Sequence, residues 1–150
     1  MNLNYVITKI NNIINDFIKT IDEDYTSRIG SDFCALISDE IIEWSLICSE
    51  ESATSFYNHF ISLFPQAKEF NLFTLSILHE VGHLETVDEM VDDVEERNTI
   101  KNCENYYNLH NEKIATTWAG YWIQDNYKQV KTLDNKLEKI IKKFENSLDK

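Results

Sequence analysis

Residues 79 to 83 read HEVGH, and the spacing of their polar side chains could build a metal site. On a helix, residues four positions apart lie on one face, so His79 and His83 can present two imidazoles to a single metal ion. Glu80 then lies beside the metal, where a carboxylate can take a proton from a water molecule that the metal activates. The pattern predicts metal-assisted hydrolysis, with His79 and His83 as ligands and Glu80 as the general base.

A catalytic zinc ion normally takes three protein ligands and leaves one position for water, so a third ligand must come from elsewhere in the chain. Glu112 is the main candidate, because residues 106 to 125 read as a helix preceded or capped by Asn108 or Asn111. Residues near one face of this helix are Glu112, Ala115, Ala119 and Trp122. The small side chains of the two alanines, with Gly120, would let this helix approach another closely. Glu112 needs such an approach in order to bind a metal ion held by the histidines, because metal–oxygen bonds are only about 2 Å long.

The segment that carries the motif reads as a largely buried helix starting after Phe70. Its apolar residues surround much of the circumference: Leu72, Leu75, Ile77, Leu78, Val81 and Leu84. Burying a carboxylate such as Glu80 is costly unless a metal ion or a hydrogen-bond network supplies partners. Gly82 costs about 1 kcal/mol relative to alanine inside a helix, so it indicates that a backbone or a ligand approaches closely there.

Other carboxylates follow the motif and are weaker third ligands. They are Glu85, Asp88, Asp92 and Asp93. Glu85 comes too soon after the histidines to fold back from the same helix. The aspartates belong to a run of seven acidic residues between positions 85 and 96, which is typical of a solvated face. One of them could still orient a ligand histidine through a hydrogen bond.

Three residues just before Glu112 could stabilise a developing oxyanion, namely Tyr106, Tyr107 and His110. The ordinary alternative for each is packing or capping near the start of a helix. His59 falls off the apolar stripe of its own predicted helix, and we expect it at the surface.

Length and composition indicate one folded domain covering residues 1 to 150. A hydrophobic fraction of 43% argues against disorder despite the net charge of -12. The acidity disfavours nucleic acid and anionic membranes as partners, and no segment resembles a signal peptide or a membrane span. Cys34, Cys48 and Cys103 are an odd number without CxxC spacing, which favours a reduced, cytoplasmic protein.

Two amphipathic helices are predicted at the ends of the chain. The first has the stripe Leu3, Val6, Ile10, Ile13, Phe17 and Ile21. The last, residues 128 to 150, has the stripe Val130, Leu133, Leu137, Ile140, Phe144 and Leu148. This segment carries a local charge of +3, and its polar face includes Asp134, Glu138 and Glu145. We expect its apolar face to dock on the body of the protein, with a dimer contact or a partner-binding role as the lesser options.

A β-hairpin and a second helix are predicted between the first helix and the motif. Residues 33 to 37 and 42 to 46 flank a polar turn, and pairing residue 37 with residue 42 makes one face apolar. In that register Cys34 faces Ser45, so a disulfide with Cys48 is not expected. The second helix opens at residues 49 to 51, has the stripe Ala53, Phe56, Tyr57, Phe60 and Phe64, and is stopped by Pro65.

HEVGH followed about thirty residues later by Asn111-Glu112-Lys113-Ile114-Ala115 resembles the HExxH and ExxA motifs of gluzincin metallopeptidases, in particular the small ImmA/IrrE-like zincins of bacteria and phages. The specific match covers about Leu72 to Trp122. The resemblance implies that His79, His83 and Glu112 bind Zn²⁺ and that Glu80 is the catalytic base. It also implies a fold with a helix, a small antiparallel sheet and then the metal helix.

The sequence thus predicts a mostly helical α+β, zincin-like domain that hydrolyses a peptide bond in a cytosolic protein or peptide. The edge of the hairpin could hold an extended substrate by strand addition. Two alternatives stay open at this point. One is an acidic, non-enzymatic interaction protein on a zincin-like fold, encoded by a phage or mobile element. The other is a purely structural zinc site, which a ligand set of three residues including a carboxylate disfavours.

Overall fold

The computed structural model describes residues 2–148, except for the side chains of residues 103 and 104. This part of the chain is mostly helical with one small sheet, so the α+β prediction is confirmed. The helices are α1 Leu3–Lys19, α2 Glu50–Leu63, α3 Leu72–Glu85, α4 Val94–Thr99, α5 Cys103–Tyr106, α6 His110–Asp125 and α7 Tyr127–Leu148. The strands are β1 Thr26–Ile29, β2 Cys34–Leu36 and β3 Ile41–Trp44. Among these helices, none combines the length and the apolar character needed to cross a membrane.

The sheet is mixed, and the prediction of a purely antiparallel sheet is wrong. Its order is β1-β3-β2, with β1 parallel to β3 and β2 antiparallel to β3. Strand β1 gave no sequence signal because only Ser27 of its four residues is buried. Two asparagines of α1 hold it there: Asn15 accepts a hydrogen bond from the Ser27 backbone N–H, and Asn11 accepts one from the Ser27 hydroxyl, each 2.8 Å long.

The predicted hairpin is present, but its register differs by two residues from the predicted one. Ala35 pairs with Ile42, and Cys34 pairs with Glu43 rather than facing Ser45. The connection is a 3₁₀ turn, Ile37–Asp39, followed by Glu40 in the left-handed region at φ 56°. Ile37 therefore belongs to the turn, whereas the prediction had paired it with Ile42 in the hairpin. A shift of two residues keeps the same side chains on the same face.

Cysteine chemistry agrees with the sequence prediction for two of the three residues. Cys34 and Cys48 are free thiols, whereas the side chain of Cys103 lies outside the described residues.

The two terminal helices pack against each other and form much of the core. In α1 the buried residues are Val6, Ile10, Ile14, Phe17 and Ile18. The buried face is thus rotated slightly from the predicted stripe, because Leu3 is 50% exposed and Ile14 replaces Ile13. In α7 the predicted Val130, Leu133, Leu137 and Ile140 are buried, so this helix docks on the body as expected. The prediction is wrong for Leu148, at the end of the helix, which is 67% exposed.

Asp134 corrects the prediction for the polar face of α7. It is only 2% exposed, and its Oδ1 accepts hydrogen bonds from the backbone N–H of Asn71 and the hydroxyl of Thr74. These groups lie at the start of α3, where helical N–H groups lack partners within the helix. Asp134 therefore fixes α7 to the N-terminal end of the motif helix.

The boundaries of α2 are as predicted, with Ser49 as the N-cap and Pro65 just past the end. The predicted helix over residues 106 to 125 begins four residues later, at His110, and residue 106 belongs to α5. Neither Asn108 nor Asn111 caps α6, since the N-cap is Leu109 and makes no side-chain hydrogen bond.

Candidate metal centre

Helix α3 presents His79 and His83 side by side. The ring centroids are 4.7 Å apart, and the ring planes are nearly perpendicular. His79 is 2% exposed, while His83 is partly exposed. The sequence folds this way because the apolar residues of α3 leave only one polar side, where the four-residue spacing collects both imidazoles.

Helix α6 packs against α3 at the level of the motif, and Gly82 makes that approach possible. A Cβ atom at Gly82 would overlap the carbonyl oxygen of Ala115. The close approach that Gly82 predicted is therefore present, and Ala115 and Ala119 are fully buried between the helices. One turn before Ala115, the same helix carries Glu112.

Glu112 contacts both histidines at once. Its Oε1 atom lies 3.1 Å from Nε2 of His79 and 3.1 Å from Nε2 of His83. Ligand atoms of a tetrahedral zinc ion lie roughly 3.3 Å from one another, given metal bonds of about 2 Å. Both distances from Oε1 of Glu112 are close to this value, and the atoms belong to the three residues that the sequence singled out.

His79, His83 and Glu80 also form a group of possible metal ligands, with one ligand atom of each lying within 4.8 Å of the others. Glu112 is outside that group, but its Oε1 lies 3.1 Å from Nε2 of both histidines. The role of any of these residues as a ligand stays a prediction.

The protonation preferences of the cluster follow from its contacts. Burial alone would raise the pKa of Glu112, but hydrogen bonds with His79 and His83 outweigh it and hold the pKa well below its ordinary value. Burial would lower the pKa of His83, but the hydrogen bond to Glu112 outweighs it and raises the pKa. The centre thus favours an ionised carboxylate between the two rings.

Arg97 holds the second oxygen of Glu112. Its Nη2 donates to Oε2 of Glu112 at 3.2 Å and to Oδ2 of Asp93 at 2.9 Å. Asn111 supports this arrangement by donating to Asp93 and to the carbonyl of Val91. Sequence reasoning missed Arg97, whose only signal was its position as a lone basic residue among acidic ones.

The weaker third ligands lie away from the centre. Glu85 is exposed and accepts a 2.8 Å hydrogen bond from Tyr25, and Asp88 and Asp92 are exposed. The acidic run is therefore mostly a solvated face. Asp93 is the exception, and it acts on Glu112 through Arg97 rather than on a histidine.

Glu80 faces a cavity of about 790 Å³ that the two histidines and Glu112 also line. No hydrogen bond to its carboxylate is seen among the described residues. Burial, the largest effect, raises its pKa, and the neighbouring histidines oppose the shift. Strand β2 forms another wall of the cavity through Cys34 and Ala35.

The three oxyanion candidates lie in different places. Tyr106 and Tyr107 line the cavity, whereas His110 does not; it is exposed and contacts the carbonyl of Glu89 at 3.2 Å. The ring of Tyr106 lies 4.9 Å from the Arg97 guanidinium. Burial, followed by the charge of Glu112, raises the pKa of Tyr106 to about 12, so its hydroxyl keeps its proton at neutral pH.

His59 is half-buried behind the centre, so its prediction as a surface residue is wrong. Its Nε2 lies 2.8 Å from Oγ1 of Thr116, and the same oxygen lies 2.8 Å from Nδ1 of His79. Burial, followed by the charge of His79, lowers the pKa of His59 to about 4. The apolar stripe of α2 could not reveal this contact, because the partner comes from α6.

Comparison of the chain with protein-family models, with curated proteins and with solved structures gave no match.

Proposed function

We propose that this protein is a zinc-dependent peptidase whose metal ligands are His79, His83 and Glu112 and whose general base is Glu80. One observation carries the proposal: Oε1 of Glu112 contacts Nε2 of both histidines, at 3.1 Å each. These residues and Glu80 line the same cavity. The resemblance of the HEVGH and Asn111–Ala115 segments to gluzincin motifs supports the same roles.

The donor set suits zinc, which takes imidazole nitrogens and carboxylate oxygens readily. When bound, zinc supplies a Lewis acid that polarises a carbonyl oxygen and lowers the pKa of water toward about 7. Three protein ligands are typical of catalytic zinc sites, whereas structural sites usually have four. The cavity next to the ligands leaves room for a substrate.

Glu80 would act as general base and then as general acid. Glu80 lines the same cavity as His79, His83 and Glu112. A base in this position takes a proton from the attacking water and later delivers it to the leaving amine. Without a described hydrogen-bond partner, the carboxylate is available for both steps.

Tyr106 would stabilise the oxyanion of the transition state. Of the three candidates, it combines a place in the cavity wall with a close cationic neighbour, Arg97. The guanidinium can only donate hydrogen bonds, so a contact with Tyr106 leaves the phenolic O–H free to donate to substrate.

An extended peptide is the substrate class that the cavity favours. Strand β2 lies at the edge of the sheet and lines the cavity, so one side of its backbone faces away from β3. Edge strands bind extended peptides by adding a strand to the sheet. A protein or peptide segment laid along β2 would pass close to the histidines.

The test combines metal content with hydrolysis. Purified protein should contain one zinc per chain, and His79→Ala, His83→Ala and Glu112→Ala should each lose it. Glu80→Gln should keep the metal but lose cleavage of a peptide library followed by mass spectrometry, with a fall in rate of at least about 100-fold. Glu96→Gln, at an exposed position outside the cavity, is the charge-matched control.

The same variant distinguishes the rival class of function. If Glu80→Gln kept full biological activity and still bound its partner, the protein would work by binding and peptidase action would be excluded. Absence of metal from protein purified without chelator would reject the metal site itself.

A further inference from the structure

A chain of three polar side chains runs behind the metal centre, away from the cavity. Nδ1 of His79 lies 2.8 Å from Oγ1 of Thr116, which lies 2.8 Å from Nε2 of His59. Thr116 is fully buried, and neither Thr116 nor His59 is among the residues that line the cavity. These two residues therefore do not touch a substrate in the cavity, and any effect they have passes through His79.

We propose that Thr116 and His59 are positioning residues that hold His79 in the tautomer whose Nε2 can bind zinc, an inference that rests on the metal site proposed above. A neutral imidazole has one N–H and one nitrogen without a proton. The hydrogen bond made by one nitrogen decides which of the two carries the proton. Partners of this kind fix both the tautomer and the orientation of metal-binding histidines.

Without zinc, Nε2 of His79 must donate its proton to the ionised carboxylate of Glu112. The directions of the other hydrogen bonds are therefore derived for the zinc-loaded protein, in which Nε2 binds the metal and carries no proton. The proton of His79 must then lie on Nδ1, which donates to Oγ1 of Thr116. The hydroxyl of Thr116 has one proton, and it is directed at Nε2 of His59. His59 must accept that hydrogen bond, so its own ring proton lies on Nδ1. Its pKa of about 4 is consistent with a neutral ring at pH 7.

The surroundings hold this chain in place. Tyr107 stacks on His59 with ring centroids 5.2 Å apart and planes 21° apart. Phe56 packs edge-on against His79, with centroids also 5.2 Å apart. Thr116 lies one turn after Glu112 on α6, so a single helix supplies one proposed ligand and the partner of another. A shift of α6 would move both together.

Zinc affinity provides the first test, measured by competition with a chromophoric chelator. Thr116→Val removes the hydroxyl at similar size and should weaken zinc binding about 10- to 100-fold. Thr116→Ser keeps the hydroxyl and should stay within about threefold of the unmodified protein. Likewise, His59→Phe should weaken binding, whereas His59→Gln should restore much of it because its amide oxygen can accept from Thr116. Circular dichroism serves as the control that tests whether each variant is folded.

Nitrogen-15 NMR of the zinc-loaded, unmodified protein provides the second test and needs no variant. We expect His79 to be protonated at Nδ1 and His59 to be protonated at Nδ1 as well. A His59 protonated at Nε2, or an unchanged zinc affinity in folded Thr116→Val, would overturn the proposal and leave the metal site standing. Failure of the unmodified protein to bind zinc would reject the proposed function and this inference together.

Discussion

Gly82 of α3 lies directly against the carbonyl of Ala115 in α6, so closely that a Cβ atom at position 82 would overlap the carbonyl oxygen. This contact sets the distance between the helix that carries both histidines and the helix that carries Glu112. The hydrogen bonds that Oε1 of Glu112 accepts from both imidazoles depend on that distance.

Replacing Gly82 with alanine should therefore separate the two helices. Alanine is intrinsically favoured in a helix by about 1 kcal/mol, but the overlap with a backbone atom outweighs this gain. We expect a net loss of about 1 to 3 kcal/mol in the free energy of unfolding, as for other overpacked sites, together with weaker zinc binding. Urea unfolding and chelator competition measure the two effects.

Gly120→Ala is the matched control for that experiment. Its Cβ atom would overlap the ring of Phe64, away from the metal centre. It should lower stability while leaving zinc affinity almost unchanged. Equal loss of zinc affinity in both variants would show that the Gly82 contact has no special role in the site.

Glu112→Ala should destabilise the protein even without metal. The carboxylate is 2% exposed and contacts two histidines and Arg97, so its removal leaves buried polar groups without their partner. The expected cost is about 1 to 3 kcal/mol, because the histidines can become neutral and the partly exposed Arg97 keeps Asp93. Urea unfolding with chelator present measures it, and Glu96→Ala serves as the exposed control. A metal-free stability equal to that of the unmodified protein would contradict this prediction.

The metal-free protein should lose stability as the pH falls from about 6.5 to about 4, in part because of His59. Burial lowers the folded-state pKa of His59 to about 4 from an ordinary value of 6.5. Between these values the unfolded state binds more protons, so the free energy of unfolding decreases as the pH decreases. His59→Gln should show a smaller loss between pH 7 and pH 5, measured by urea unfolding with chelator present. Identical pH slopes for the two proteins would refute the contribution of His59.

Asp134→Ala should destabilise the junction between α7 and α3. The change removes the acceptor for the Asn71 N–H and the Thr74 hydroxyl, at an expected cost of about 1 to 3 kcal/mol. Glu138→Ala is the control on the same helix, because Glu138 forms an exposed ion pair with Lys142, and pairs of this kind contribute little. Thermal unfolding compares the two, and similar melting temperatures would argue against a stabilising role for Asp134 at this junction.

The spacing of apolar residues and the residues that start or stop helices were sufficient to predict most helices. Ser49 and Pro65 bound α2, and most of the apolar residues that the spacing predicted to be buried in α3 and α7 are buried. The spacing of His79 and His83 placed them on one face, and the small face of α6 pointed to Glu112 as their neighbour. These features are local, because each depends on side chains within one or two turns of the same helix.

Tertiary structure decided the rest, because those features depend on partners that are distant in the chain. Strand β1 is held by hydrogen bonds to asparagines of α1 rather than by buried apolar side chains. Its sequence therefore has no alternation of apolar and polar residues from which a strand could be predicted. Arg97 reaches Glu112 across fifteen residues, and Asp134 reaches Thr74 across sixty. His59 joins the centre only because α6 brings Thr116 between it and His79.

The sequence by itself therefore determined which side chains could form a metal centre and which helices carry them. Only the tertiary structure decided how those helices approach, which charges surround the carboxylate and which hydrogen bonds orient the imidazoles. The physical reason is the sequence separation over which each interaction acts. Helical periodicity acts over a few residues, whereas burial and hydrogen bonding in the centre join α2, α3, α4 and α6 after the chain has folded.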